Sequence, residues 1–542
     1  MLGWRHIDSN VVSPIRCQAM TTVEALAGWA TGLRLEDVPV DVVSLCRSQR
    51  ASVIGGIAAS ADDAASRRIL DGLAGWARSG PAPLLGGDAS VAVEDAIYAA
   101  TALSIALDFD DYMTFAHTGH SAVLVPALLA AETGSAGRRQ LVAQVVVNEV
   151  EARLAGACLI GPLNGQMWSF VHAAGSALAA GLLLELDERR LSHALALSLY
   201  QAPRPTVPGF MGPDSKLLTV AEPALIGVRA ARLAASGVTG PLDVLDEPKG
   251  FLDAFSYTPL RGLLAGLGEG WASRTLCVKP YPGCAYVDTT LDALLSLDLP
   301  PAAEVGRVVV DASALACEMD SWSGEYPVHP DQAPTPVTVN FSVAWNVAIA
   351  LLAGAVSPSQ LRGDWLGANR GRLTDLARRV HLRHDWDLTC QAAEAFAGLL
   401  PPRVVRREAG LAKLGTGLAR LGREHATVGG MSGVRGLGTT LWRRRGTWRA
   451  IGAGRYWSPA AIDSFRMQFP ARVTVVLHGG QRLQASADVP RGGVGHPCQG
   501  PAGVAEAKLR EWGPALWGQP GTKEVADAIA TDHDRLFAIL GR

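Results

Sequence analysis

The sequence predicts a mainly α fold, with a large all-α domain followed by a smaller α+β domain. Three observations lead there. Apolar residues recur at helical spacing from residue 22 to about residue 267. Runs of β-branched residues that alternate or cluster as strands do begin only after residue 275. Helical spacing then returns beyond residue 500.

The helical half reads as segments over 22–30, 35–53, 94–107, 121–132, 141–157, 172–186, 191–199 and 217–235. Most are rich in alanine, which lets helices approach closely. In the second half, 308–312 and 337–341 read as strands, and 345–352 reads as a helix. Residues 471–487 read as a hairpin turning at Gly479-Gly480. Residues 401–461, rich in Gly and Arg and poor in periodicity, read as an insertion, either a surface excursion or a lid. Helices over 504–512 and 524–540 close the chain. The expected domains are therefore 20–268, rejoined by 501–542, and 269–500 with its insertion at 401–461.

Composition narrows the function classes. With 48% apolar and 18% charged residues in 542, the chain is able to bury a large core. A formal net charge of −2 provides no overall field to gather phosphate backbones or anionic lipid, so no nucleic acid and no membrane are expected as partners. The most apolar segment, 173–186, is shorter than the ~20 residues a membrane span needs. Residues 1–8 show no basic stretch followed by an apolar run, so no signal peptide is expected. The eight cysteines, at 17, 46, 158, 277, 284, 317, 390 and 498, form no CxxC pair. That pattern suits reduced thiols better than a disulfide framework or a zinc site. The expectation is a cytoplasmic protein acting on a small molecule.

Lysine is scarce. Only positions 216, 249, 279, 413, 508 and 523 carry it among 49 basic residues. Arginine is effectively never deprotonated, so a retained lysine marks either a place that needs a compact or titratable charge or a chance survivor on the surface.

The densest chemistry lies in 106–126, where Leu107-Asp-Phe-Asp-Asp111 is followed by Tyr112, His117 and His120. A carboxylate held against an imidazole orients it and tunes its pKa toward neutrality, where acid–base work is efficient. Helix-end capping beside a polar loop accounts for the same residues without any chemistry.

This segment opens a series of matches, in order, to the MmgE/PrpD family. Leu107-Asp-Phe-Asp-Asp111 with its histidine loop resembles the family's corresponding motif, and the Gly-rich stretch from Gly161 into an Ala-rich helix resembles its next one. The loop carrying Lys216 and the turn at Gly237 follow. Lys279-Pro-Tyr-Pro-Gly-Cys284 is close to the family's Lys-Pro-Tyr-Pro-Ser-Cys, the helix after Phe341-Ser342 is similar to its Phe-Ser helix, and the closing hairpin matches.

The resemblance implies a large helical domain with an α+β lid, a homodimer, and an active site in the cleft between domains. It implies a reaction without metal or cofactor on a small-molecule carboxylate. A proton is abstracted next to the carboxylate, followed by elimination, as in a dehydratase of a 2-methylcitrate-like hydroxy acid, by decarboxylation or by reprotonation. Asp108 matches the catalytic aspartate, His117 or His120 the loop histidine, and Lys216 and Lys279 two basic residues that pair with a carboxylate or an enolate-like charge. Cys284 stands where some relatives carry histidine. A second catalytic histidine of the family is Gln166 here, and His172 six residues on either packs or replaces it. Tyr112 replaces a small hydroxyl residue and Trp345 a tyrosine. With Gln166, His172 and Cys284 they are candidate substrate contacts in a bulkier, less polar pocket. A lyase is thus the first reading. An isomerase, epimerase or cyclase on a bulkier specialised metabolite is the second, and a non-catalytic binding protein that kept the fold the third.

Overall fold

Thr21 starts the first helix with a capping box: its hydroxyl accepts from the Glu24 amide, and the Glu24 carboxylate accepts from the Thr21 amide. The structure is a computed structural model and describes residues 20–87, 89–162, 169–325, 334–424, 440, 443–444 and 454–541. Helix α1 (Thr22–Gly32) leads to α2 (Val40–Ser60), α3 (Ala64–Ala74), α4 (Val93–Ile105), α5 (Gly119–Thr133) and α6 (Gly137–Ala157). Then come α7 (Ser169–Leu183), α8 (Glu188–Leu199), the short α9 (Val207–Met211) and α10 (Leu218–Ala235). The helix expected over 35–53 starts only at Val40, because Pro39 sits at its N-cap, and it runs on to Ser60.

Helices α5, α6 and α7 are buried around most of their circumference, which explains why their apolar pattern is broad and not a stripe. Their small residues permit close contact. At Gly227 of α10 a Cβ would overlap the Ala173 carbonyl of α7, so this crossing demands glycine. These helices build one large core, which also takes in Leu276, Val278, Trp457 and Leu509.

Four strands form a second layer in the order β6-β5-β7-β8, counting β1 (Ser79–Pro83), β2 (Ser90–Val91), β3 (Asp111–Tyr112), β4 (Cys277–Val278), β5 (Val305–Ala312), β6 (Val380–His384), β7 (Ala471–Leu477) and β8 (Arg482–Ala487). β5 pairs with β6 in parallel and with β7 antiparallel, and β7–β8 is the expected hairpin, with Gly480 at φ 86° in its turn. Val308, Val310, Val473 and Val475 join the helices Ala285–Leu295 and Val343–Ala353 in a second core.

Three sequence expectations need correction. The strand expected over 337–341 is a helical turn, Pro336–Val339: Thr335 caps it and Pro336 supplies the fixed φ of a first helical residue, overriding the β-branched composition. The stretch from residue 401 contains two helices, Pro402–Ala409 and Leu411–Glu424, which place Ala409, Val405 and Leu414 on the first core and leave Leu411 and Leu418 exposed. The helix expected over 524–540 is interrupted, with separate helices Pro514–Ala530 and Leu536–Leu540. Among the described residues no helix is long and apolar enough to cross a membrane.

Candidate active site

The site grows from the turn that ends α4. The Asp108 amide donates to Ile105 O at 3.1 Å, and Asp108 itself takes φ 49°, a left-handed conformation that Asp tolerates better than most residues. The chain then enters β3, whose two residues pair with β4 as Asp111↔Val278 and Tyr112↔Cys277. One step beyond this ladder Asp110 faces Lys279. The Lys279 amide donates to Asp110 O at 3.2 Å, and its Nζ lies 2.5 Å from Asp110 Oδ1 and 3.8 Å from Asp108 Oδ1. Lys216, in the 3-10 turn Asp214–Leu217 before α10, donates to Asp108 Oδ2 at 2.7 Å. Its Nζ stands 5.1 Å from the Phe341 ring centroid and 5.7 Å from that of Phe210.

Both loop histidines meet the other carboxylate. His117 Nδ1 is 3.1 Å and His120 Nε2 3.0 Å from Asp110 Oδ2. His120, in the first turn of α5, has its Nδ1 2.7 Å from Ser104 Oγ of α4. Ser104 donates its one proton to Thr101 O at 2.7 Å, so toward His120 its hydroxyl accepts from Nδ1–H. The His117 side chain is 26% exposed and that of His120 only 1%. Behind them His172 of α7 stands edge-on to His120, with ring centroids 5.7 Å apart and its Nδ1 3.0 Å from Ser121 Oγ. Ser121 in turn donates to Glu151 Oε1 at 2.6 Å.

Burial would raise Asp110, but Lys279 and the two histidine hydrogen bonds outweigh it and hold the carboxyl well below its usual range. Burial would lower Lys279, but Asp110 and Asp108 outweigh it and push the ammonium up. Asp111, buried beside Asp110, is raised, with only its hydrogen bond from Gln49 and the nearby histidines opposing. Burial raises Glu151 well above the usual carboxylate range and drops His172 well below the usual imidazole range, which favours the neutral form of each. Two carboxylates, Asp108 and Asp110, therefore face two ammonium groups, Lys216 and Lys279, with imidazoles at the margin. Such a cluster can orient an imidazole, set an anion against paired cations and move a proton.

Asp108, His117, His120, Lys216 and Lys279 lie in this one cluster. The Tyr112 ring borders it, 6.1 Å from that of His117, its buried hydroxyl pushed well up by burial and by Cys277. Cys284 caps the helix Ala285–Leu295, and its thiol is pushed up to about 12 by burial despite Lys279 nearby, so it stays protonated. Trp345 is a further expected substrate contact. On the helix Val343–Ala353 it lines a cavity of about 380 Å³ with Asp320, Thr338, Thr374 and Arg378. Gln166 falls outside the described residues. Sequence reading singled out Asp108 and passed over Asp110. Among the described residues no group of three His, Cys, Asp or Glu side chains is arranged to hold a metal ion.

Helical fold and interior cluster together define a mainly α protein whose buried side chains are suited to proton transfer. The MmgE/PrpD N-terminal domain matches residues 24–261, and the MmgE/PrpD C-terminal domain matches 281–410. The chain belongs to the MmgE/PrpD family. Its similar proteins include two sequences from Aspergillus terreus named cis-aconitate decarboxylase. One is 24% identical over 424 residues, 71% of this chain and 82% of that protein. The other is 24% identical over 404 residues, 69% of this chain and 79% of that protein.

Proposed function

We propose that this protein is a lyase acting on a small polycarboxylate, with His117 moving a proton next to a substrate carboxylate. The observation that carries this reading is the double clamp: Asp110 orients His117 while Asp108 holds Lys216 and Lys279 side by side. In decarboxylation a C–C bond breaks, carbon dioxide leaves, and the electron pair stays on carbon until His117 protonates it. In dehydration His117 takes the proton next to a carboxylate, and the leaving hydroxide departs as water with a proton from an acid. Negative charge develops in both cases, and the paired ammonium groups stabilise it. The greater exposure of His117 favours it over His120 as the group that meets substrate.

Cis-aconitate is the first substrate to offer, since two relatives carry its name. The protein is incubated in turn with cis-aconitate, citrate and 2-methylcitrate, and carbon dioxide and unsaturated product are followed. Turnover of one of these acids is expected, and inertness toward all three overturns the reading. Isomerase chemistry is favoured by Tyr112, a bulky ring beside His117. Deuterium entering recovered substrate from heavy water, with no net loss of substrate, would support it. The same reading takes the working form as a homodimer whose subunit divides near residue 268. The second core, drawn mainly from residues 281–475, supports a division of that kind, although the first core also takes in Leu276, Val278 and Trp457, and light scattering and limited proteolysis test the two points.

A further inference from the structure

The helix Pro501–Trp512 lies beyond both matched domains and packs along α2, yet it sends a charge into the interior. Lys508 is 3% exposed. Its Nζ donates to Ser52 Oγ of α2 at 3.0 Å, to Phe109 O at 3.1 Å and to Asp110 O at 3.3 Å, and it stands 4.0 Å from the Phe109 ring centroid. An ammonium has three protons, and these three acceptors use them all, so none is left for a substrate. A buried charge is costly, and an apolar side chain of similar length would pack with less penalty unless the acceptors needed a donor.

Two of the acceptors are the carbonyls of the peptide links between Asp108 and Asp111. The opposite side of this loop is held by Gly283, whose amide donates to Asp108 O at 3.2 Å, and by the Lys279 amide on Asp110 O. A Cβ at Gly56 of α2 would lie 2.6 Å from Phe109 O, so the helix also approaches the loop backbone closely. Asp108 sits in left-handed backbone at the centre of these contacts. A turn of that kind persists only where its surroundings over-determine it.

We propose that Lys508 is a positioning residue: by gripping the Phe109 and Asp110 carbonyls it fixes the directions in which Asp108 and Asp110 meet Lys216, Lys279 and His117. The charges facing its ammonium are Asp110, Asp111 and Asp288, which favour the charged form, and Lys279, which opposes it. Burial outweighs the carboxylates and brings Lys508 down to about 7. The grip is therefore strongest below neutrality and weakens as the third donor is lost above it.

The proposal rests on the proposed function only for its kinetic arm. Lys508→Met, Lys508→Arg and, as a control in the same C-terminal region, the exposed Lys523→Met are compared with the unaltered protein. Hydrogen exchange of the Lys279 and Gly283 amides and of the 106–118 segment reads the loop directly. Lys508→Met should speed exchange there by about tenfold or more while α6 keeps its protection. Lys523→Met should change nothing. On whichever acid is turned over, kcat should fall about 100-fold in Lys508→Met with KM nearly unchanged, and Lys508→Arg should recover part of it. In the unaltered protein, loop protection corrected for intrinsic exchange should fall between about pH 6 and pH 8. A folded Lys508→Met with loop exchange unchanged, or with protection lost evenly along the chain, overturns the proposal. If that variant does not fold, flat loop protection across this pH range in the unaltered protein overturns it instead. An unaltered protein inert toward all three acids refutes the function and leaves the exchange result to decide Lys508.

Discussion

Lys279 Nζ lies 2.5 Å from Asp110 Oδ1 because the two residues face each other at the open end of the two-residue ladder between Asp111–Tyr112 and Cys277–Val278. Backbone pairing thus does the work of bringing a cation from the second half of the chain to a carboxylate of the first. The same ammonium reaches Asp108 Oδ1 at 3.8 Å, so one side chain ties both carboxylates together.

Lys279→Met should leave two buried carboxylates short of a partner. Asp110 would lose the cation that contributes most to holding it down, and its pKa should rise toward the ordinary range. Breaking a buried pair by removing one member costs about 3–5 kcal/mol. Urea denaturation should show a loss of that order, together with loss of turnover. A variant as stable as the parent would show that the ion pair carries little of the fold.

The two histidines should separate. His117→Ala removes a side chain that is 26% exposed, so its melting temperature should stay near that of the parent while kcat falls ~10²–10⁴-fold. His120→Ala removes a buried ring bonded to Ser104 and Asp110, and should cost about 1–3 kcal/mol of stability as well. Thermal melts and steady-state kinetics on both variants check this, and the opposite pattern would make His120 the group that meets substrate.

Apolar residues recurring through long Ala-rich segments made the helical half legible, although α5 to α7 are buried around most of their circumference and show no single apolar stripe. The hairpin was legible because Gly479-Gly480 interrupts two alternating runs. Local chemistry hid the rest. Val380-His-Leu-Arg-His384 has too few apolar residues to announce an edge strand. The 336–339 turn was masked by β-branched residues, and the 402–424 helices by arginine and glycine. In the site, Asp108, His117, His120, Lys216 and Lys279 were nameable from short motifs. The Asp110–Lys279 pairing and the grip of Lys508 were not, since both depend on contacts between distant segments.

Trp345→Phe should leave catalysis almost untouched. Trp345 lines the cavity with Asp320, Ser342 and Arg378, none of which belongs to the Asp108 cluster. Substitutions away from special features change stability by about 0.5 kcal/mol or less, and kcat/KM should stay within about twofold of the parent by the same measure. A loss of two orders of magnitude would put the tryptophan in contact with substrate.

The last prediction concerns Glu151, whose carboxyl is fully buried behind the histidines and accepts from Ser121. Burial raises its pKa well above the model-compound value, so the folded protein keeps a proton that the unfolded chain releases above about pH 4.5. Stability rises with pH only where the unfolded state binds more protons, and here it binds fewer. The contribution of Glu151 is therefore fully present below its unfolded pKa and is lost progressively as pH rises toward its folded pKa. Each unit of that window weakens the fold by at most ~1.4 kcal/mol. Glu151→Gln keeps the shape and the acceptor for Ser121 but cannot ionise in either state. Its stability relative to the parent should be level or slightly lower near pH 4 and higher at pH 8, read from urea midpoints at the two pH values. A difference that stays constant across the range would mean that Glu151 is ionised in the folded protein, and that the neutral assignment of the Glu151–Ser121–His172 chain is wrong.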